Sequence, residues 1–317
     1  MTSVVGIDVS KKSIDVALEA GGKLHHCQFA YSDEGIASLL EQTPEQSFYV
    51  MEATGIYHSR LALKLHESGR SVSVVNPLVI KRFAQMQLSR VKSDKADAEL
   101  IRCYGVQNNL SVWAPSSDEI IELQQAHSWL DDLIREQTRL LNRKEAHAHH
   151  TKPSRFVKKQ ISSQLKQLKE KIWACERHLE ELVKKSFAEL YERLLTIPSI
   201  GPKSAMELII VTDGFSRFTD VKALSAYIGV SPTTYQSGTS VQGKGGIAKF
   251  GQGRMRQLLY LCSWTAKFCN PACRLLYTRL KALGKPQKVI NIAIAHKLLR
   301  QAFAVATKKC VFSPEYA

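Results

Sequence analysis

Val4-Val5-Gly6-Ile7-Asp8-Val9 is an apolar run rich in β-branched residues with one acid near its end, the pattern of a buried strand. Ile14 to Leu18 and Leu24 to Phe29 follow closely enough for the three to form an antiparallel meander. The period then changes. Gly35 to Gln42 predicts a helix, Ser47 to Glu52 a strand, Tyr57 to Ser68 a helix, and Ser71 to Val75 a strand that ends before Pro77. Val79 to Gln87 and Asp94 to Tyr104 predict two further helices. Three strands, then helix, strand, helix, strand and helices is the order of a ribonuclease H-like α/β domain, a mixed sheet flanked by helices, here assigned to residues 1–110.

Four acids stand out on this pattern. Asp8 lies inside an apolar strand, and a buried carboxylate without a partner is costly, so a metal is a natural companion. Glu52 ends the strand Phe48-Tyr49-Val50-Met51 in a similar position. Asp94 and Asp97 lie three apart at a helix start and therefore on one face. Each has a plain alternative, since Asp94 can cap its helix and Asp97 can complement the helix dipole. Together they can hold two divalent cations about 4 Å apart, the arrangement that stabilises attacking and leaving oxygens in phosphoryl transfer. Mg²⁺ suits an all-oxygen donor set.

Of 317 residues, 44 are Lys or Arg and 29 are Asp or Glu, a formal net charge of +15, with 44% hydrophobic residues. The hydrophobic share is that of an ordinary globular chain, and the charge attracts polyanions, nucleic acid foremost. The seven cysteines are odd in number, scattered and without a CxxC pair, which argues against a disulfide framework or zinc ribbon and favours a reducing cytoplasm. No basic and apolar leader pattern opens the sequence, and no membrane partner is expected. The apolar segment Val289 to Thr307 is interrupted by His296, Lys297 and Arg300, as suits a buried amphipathic helix.

Residues 115–190 read as two long helices separated near Pro153. Leu123, His127, Leu130, Ile134, Gln137 and Leu141 recur at spacings of four and three, as do Ile161, Leu165, Leu168, Ile172, Cys175, Leu179 and Leu182. That is a coiled-coil seam, either within a helical hairpin or between subunits through a dimerisation arm. His147, His149 and His150 sit beside a basic run without companion ligands, and a solvated helix end accounts for them.

Residues 191–317 form a mainly α-helical region set apart by charge. Between Val221 and Pro314 there are fifteen Lys and Arg residues and no Asp or Glu. Within it, Tyr235-Gln236-Ser237-Gly238-Thr239-Ser240 precedes a glycine-rich stretch containing Lys244 and Lys249, followed by Arg254 and Arg256. Glycines let a backbone approach phosphate, and cations neutralise it. A serine there can attack a phosphodiester and conserve its bond energy as phosphoserine, or it can be a turn residue and no more. Upstream, Leu194 to Ala205 has the form of a helix-hairpin-helix, whose turn binds backbone phosphate or is purely structural. Lys203 lies in it, and Ser199 stands where glycine is usual.

Gly6-Ile7-Asp8-Val9-Ser10-Lys11, Met51-Glu52-Ala53-Thr54-Gly55 and Lys92-Ser93-Asp94-Lys95-Ala96-Asp97-Ala98 resemble the DEDD motifs of the IS110 family of insertion-sequence transposases, including its IS1111 branch and the related pilin-gene invertases. The resemblance spans nearly the whole chain. It implies a RuvC-like domain with Asp8, Glu52, Asp94 and Asp97 as Mg²⁺ ligands, and a serine transposase domain in which Ser237 is the nucleophile, with Ser240 its rival. It also implies donor and target DNA as substrates, a bridge RNA that pairs with both, and a homo-oligomer, dimer or tetramer. In such an oligomer the RuvC-like domain of one subunit meets the serine domain of another. Lys203, Lys244, Lys249, Arg254 and Arg256 are then the candidate nucleic-acid contacts. Gly251-Gln252 departs from the family's usual Gly-Asn. Three other classes stay open: a metal-dependent resolvase acting on Holliday junctions without a covalent intermediate, an actin-like sugar kinase, and a non-catalytic nucleic-acid-binding scaffold. The kinase would need a second phosphate-binding glycine motif.

Overall fold

The structure, a computed structural model, describes residues 3–53, 55–88, 93–233, 236–237, 241–242, 246–247 and 251–314. Its chain divides into two compact units, residues 1–115 and 116–317.

In the first unit, β1 (Val4–Val9), β2 (Ser13–Ala20) and β3 (Lys23–Ala30) precede α1 (Asp33–Gln42), β4 (Phe48–Glu52), α2 (Tyr57–Glu67), β5 (Ser71–Val75), α3 (Pro77–Met86) and α4 (Asp94–Gln107). The strands form one sheet in the order β3-β2-β1-β4-β5. The first three pair antiparallel, while β1 with β4 and β4 with β5 are parallel. A parallel pair needs a crossover, which α1 supplies between β3 and β4 and α2 between β4 and β5. This is the ribonuclease H-like arrangement that the order of elements predicts.

Alternation along β1 divides the unit into layers. Val5, Ile7 and Val9 join Tyr49, Met51, Leu39, Leu61 and Leu65 in the core on one side of the sheet. Val50, Val75, Ile80 and Ile101 pack on the other, under α3 and α4. A fully buried side chain of this size contributes about 1.5–3 kcal/mol.

The second unit opens with α5 (Asp118–Ala148) and α6 (Arg155–Leu195), which turn about the segment holding Pro153 and pack on one another. Ser117 and Ser154 cap them by accepting from the Ile120 and Val157 amides. Leu123, Leu130, Ile161, Leu165, Leu168 and Leu179 are buried as the seam predicts. Elsewhere the seam is shifted by one residue. Leu133 and Leu140 are buried while Leu141 is half exposed, and Val183 is buried where Leu182 was expected. A heptad falls about 20° short of two full turns, so over a long helix the contact moves to a later residue, as from Leu182 to Val183 in α6; the shift to earlier residues in α5 runs the other way and does not follow from it.

Beyond a break at Phe187 (φ −133°, ψ 28°) in α6 come α7 (Pro202–Thr212) and α8 (Val221–Ile228). Among the described residues four two-residue strands follow: β6 (Pro232–Thr233), β7 (Gln236–Ser237), β8 (Val241–Gln242) and β9 (Gly246–Ile247). They pair β6 with β9 and β7 with β8. Helices α9 (Gly253–Cys269), α10 (Pro271–Ala282) and α11 (Gln287–Lys308) complete the unit. Helix α11 is long and apolar enough to cross a membrane, but Ile290, Ile294, Leu298, Leu299 and Val305 are buried in the core of this unit. It is the amphipathic core helix that its interrupting cations predict. All seven cysteines are free thiols.

Candidate functional site

Parallel pairing sets Gly6 beside Val50 and Ile7 beside Met51, so the next position across the ladder pairs Asp8 with Glu52. Gly6, Asp8, Val50 and Glu52 share a face, because side chains alternate along a strand. Helix α4 lies on that face, its backbone at Ala98 and Arg102 against Gly6, and Gly105 against Val4 and Val50. The helix therefore runs antiparallel to β1. From Val4 to Asp8 the strand rises about 13 Å. From Gly105 back to Asp97 the helix covers about 12 Å. The first turn of α4, with Asp94 and Asp97, thus comes level with Asp8.

The cap of α4 is Ser93, whose Oγ accepts from the Ala96 amide at 3.3 Å. The capping alternative for Asp94 is thereby removed. Burial first, then the charges of Asp97, Asp94, Glu52 and Asp15, push the Asp8 carboxyl up to about 6. All four expected acids therefore share one electrostatic neighbourhood. Among the described residues no three His, Cys, Asp or Glu side chains lie at metal-ligating spacing.

Asp15 is a fifth acid that the sequence reading passed over. It faces Asp8 across the β1–β2 ladder, is 3% exposed, and accepts from Gln28 Nε2 at 2.9 Å and Ser13 Oγ at 3.3 Å. Its signal matches that of Asp8, an acid between Ile14 and Val16 inside an apolar strand.

In the second unit, the turn between α6 and α7 holds Ser199 at φ 83°, the left-handed region usually given to glycine. The Ser199 Oγ lies 2.9 Å from Cys269 Sγ. Lys203 is exposed, with its Nζ 2.5 Å from Glu176 Oε1. Ser237 lies in β7 opposite Val241 of β8. Ser240, Lys244 and Lys249 lie outside the described residues. Gly251, two residues before α9, is held at φ 101°, where a β-carbon would stand 2.3 Å from the Tyr227 carbonyl oxygen.

The two candidate arginines of α9 point inward. Arg256 Nη1 donates to the Ile228 carbonyl at 3.1 Å. Arg254 is ion-paired with Asp131 of α5 and, at 3.3 Å, with Glu207 of α7. His127 Nε2 lies 2.6 Å from the same Glu207 oxygen. Arg254 therefore has its charge matched inside the protein. Its acids come from helices outside the acid-free stretch, so local composition gave no sign of them.

Carboxylates gathered on a ribonuclease H-like sheet, with a strongly basic helical unit after it, describe a DNA-processing enzyme of the transposase and recombinase class. Residues 5–153 match the DEDD transposase family of IS110 type, and residues 191–278 match the IS116/IS110/IS902 transposase family. The pilin gene-inverting proteins of Moraxella bovis and Moraxella lacunata are each 31% identical over 315 residues, spanning 95% of this chain and 94% of theirs. The transposase for insertion sequence element IS1328 of Yersinia enterocolitica is 23% identical over 98% of both chains. A solved RuvC structure from Thermus thermophilus aligns with 35% of this chain and all of its own, at 16% identity and a TM-score of 0.27. The chain belongs to the IS110 family of transposases.

Proposed function

We propose that this enzyme cuts and rejoins the DNA of an insertion sequence by transient attachment of a strand to Ser237, with Asp8, Glu52, Asp94 and Asp97 as its divalent-metal site. The observation that carries the reading is the packing of α4 on Gly6, which sets two acids of a helix start level with two acids at adjacent strand ends. The donor set is carboxylate oxygen throughout, which suits Mg²⁺. Bound there, the cation would offset the burial and the neighbouring charges that raise Asp8 and would stabilise charge on the phosphoryl group.

In the covalent step the serine oxygen forms a bond to phosphorus as the bond to the departing strand's sugar oxygen breaks. Rejoining reverses the exchange with a different strand end, so no external energy source is required. Lys203, Lys244 and Lys249 are assigned to nucleic-acid backbone, as is the helix-hairpin-helix around Ser199. A bridge RNA supplies the choice of donor and target. The α5–α6 pair serves as a coiled-coil arm in a dimer or tetramer that brings the metal domain of one subunit to the serine of another. Seven free thiols accord with a reducing cytoplasm. The pilin gene-inverting relatives support recombination by reciprocal strand exchange as the form of the reaction.

The test is recombination between donor and target plasmids with the flanking noncoding RNA supplied, for the parent, Asp8→Ala and Ser237→Ala. Both variants are expected to fail, and a DNA-linked protein band is expected to vanish in Ser237→Ala. Full activity of Ser237→Ala removes the serine assignment and favours a resolvase-like nuclease. Loss of the band in Ser240→Ala alone transfers the role to that residue.

A further inference from the structure

Helices α10 and α11 enclose a cleft of about 640 Å³ whose walls carry Arg279 from one helix and Lys297 and Arg300 from the other. Among the described residues none of these three cations forms an ion pair, and no Asp or Glu occurs between Val221 and Pro314. Between the cations the surface is hydrocarbon. Leu276 lies partly buried, while Leu275 is 73% exposed at the cleft. His296 completes the wall, turned inward with Nε2 3.0 Å from Ser225 Oγ of α8.

An unpaired nucleotide has the complementary chemistry. Its base offers a flat apolar face to the leucines, and its flanking phosphates meet the cations. A duplex keeps its base faces stacked inside and can use only the cations. Among the described residues the lining has no carboxylate, amide or hydroxyl side chain to accept from a ribose 2′-hydroxyl.

We propose that this cleft holds an unpaired DNA strand during the reaction. The inference rests on the strand-cutting reading above, because cutting frees a strand end from its partner. It assigns a function to α11, which lies beyond the matched residues 191–278.

The experiment uses the full chain and fluorescence anisotropy across a salt series, with labelled oligothymidylate, oligouridylate of equal length and a DNA duplex of equal length. Combined Arg279→Gln, Lys297→Gln and Arg300→Gln is expected to weaken oligothymidylate binding about tenfold or more. It should also lower the slope of log affinity against log salt by about 2, at about 0.7 for each lost phosphate contact. Leu275→Glu, at an exposed position where folding is not at issue, is expected to weaken the same ligand with all three cations in place. Neutralising Lys23, Lys64 and Lys81 of the first unit together should leave the slope unchanged. A parent-like slope in the cleft variants overturns the proposal, as does an equal loss for the duplex. A loss confined to oligouridylate reassigns the cleft to RNA. Ser237→Ala should bind oligothymidylate as the parent does, so failure of the serine reading and failure of the cleft are separately visible.

Discussion

A β-carbon added to Gly6 would stand 2.3 Å from the carbonyl oxygen of Ala98. The obstacle is helix backbone, which cannot turn aside as a side chain can, so α4 would have to lift off β1. Gly6→Ala is expected to destabilise the first unit by about 3 kcal/mol, at the upper end of overpacking costs. Gly105→Ala should cost less, because the groups in its way are valine methyls at 2.8 Å. Urea unfolding followed by circular dichroism measures both. In Gly6→Ala that still folds, stabilisation by added Mg²⁺ or Mn²⁺ should be lost as Asp94 and Asp97 withdraw from Asp8. An unchanged response to metal would show that the acids do not depend on this contact.

The raised Asp8 pKa implies a second outcome. Its carboxyl titrates near 6 in the folded protein against 3.8 for the free group, so the folded chain holds the proton more tightly. Below pH 4 both states are protonated and Asp8 costs nothing. As pH rises from about 4 to about 6 the folded state loses stability relative to the unfolded state, and above that the cost is constant. The site is partly open to solvent, and after screening the cost is about 1–2 kcal/mol. Asp8→Asn should therefore stabilise the metal-free protein at pH 7.5 and make no difference near pH 3.5. Added Mg²⁺ should stabilise the parent and not the variant. A variant less stable than the parent at pH 7.5 would refute the cost that burial and the neighbouring acids place on ionised Asp8.

Much of the first unit was legible because strand and helix periods are local properties. β1 and β5 have the residues predicted, and Asp8 and Glu52 were visible as acids at the ends of apolar strands. Two things could not be read locally. The cap of α4 falls to Ser93 and not to Asp94, a choice between neighbours with equal capping chemistry. The pairing of Asp15 with Asp8 requires the register of β1 against β2, which composition does not specify. In the second unit the one-residue slip from Leu182 to Val183 reflects helix geometry, and the acids around Arg254 come from other helices. Ser237 stands out through resemblance and not through any feature of its backbone.

Ser199 is held at φ 83°, where its Cβ is crowded against backbone. Relief of that strain favours Ser199→Gly, and the greater freedom of glycine in the unfolded chain opposes it. The net expectation is a gain of about 1 kcal/mol or less, seen as a rise of roughly 2–4 °C in melting temperature. The contact with Cys269 is exposed and should matter little. A fall in melting temperature would mean that the Ser199–Cys269 contact outweighs the strain.

Arg254 separates internal charge from DNA-facing charge. Its side chain is mostly shielded between Asp131 and Glu207, and His127 lies against the same Glu207 carboxylate. Removing one member of such a cluster strands the others in a poorly solvated place. Arg254→Leu is accordingly expected to cost about 3–5 kcal/mol. Leucine at 254, 131 and 207 together should recover most of the loss, since the stranded acids are then gone. Arg254→Gln, assayed well below its own melting temperature, should leave the salt slope of duplex binding at the parent value. A true phosphate contact would lower that slope by about 0.9. A drop of that size would show that Arg254 leaves its acids to meet DNA, and the cluster would then be a latch between α5, α7 and α9 that DNA opens.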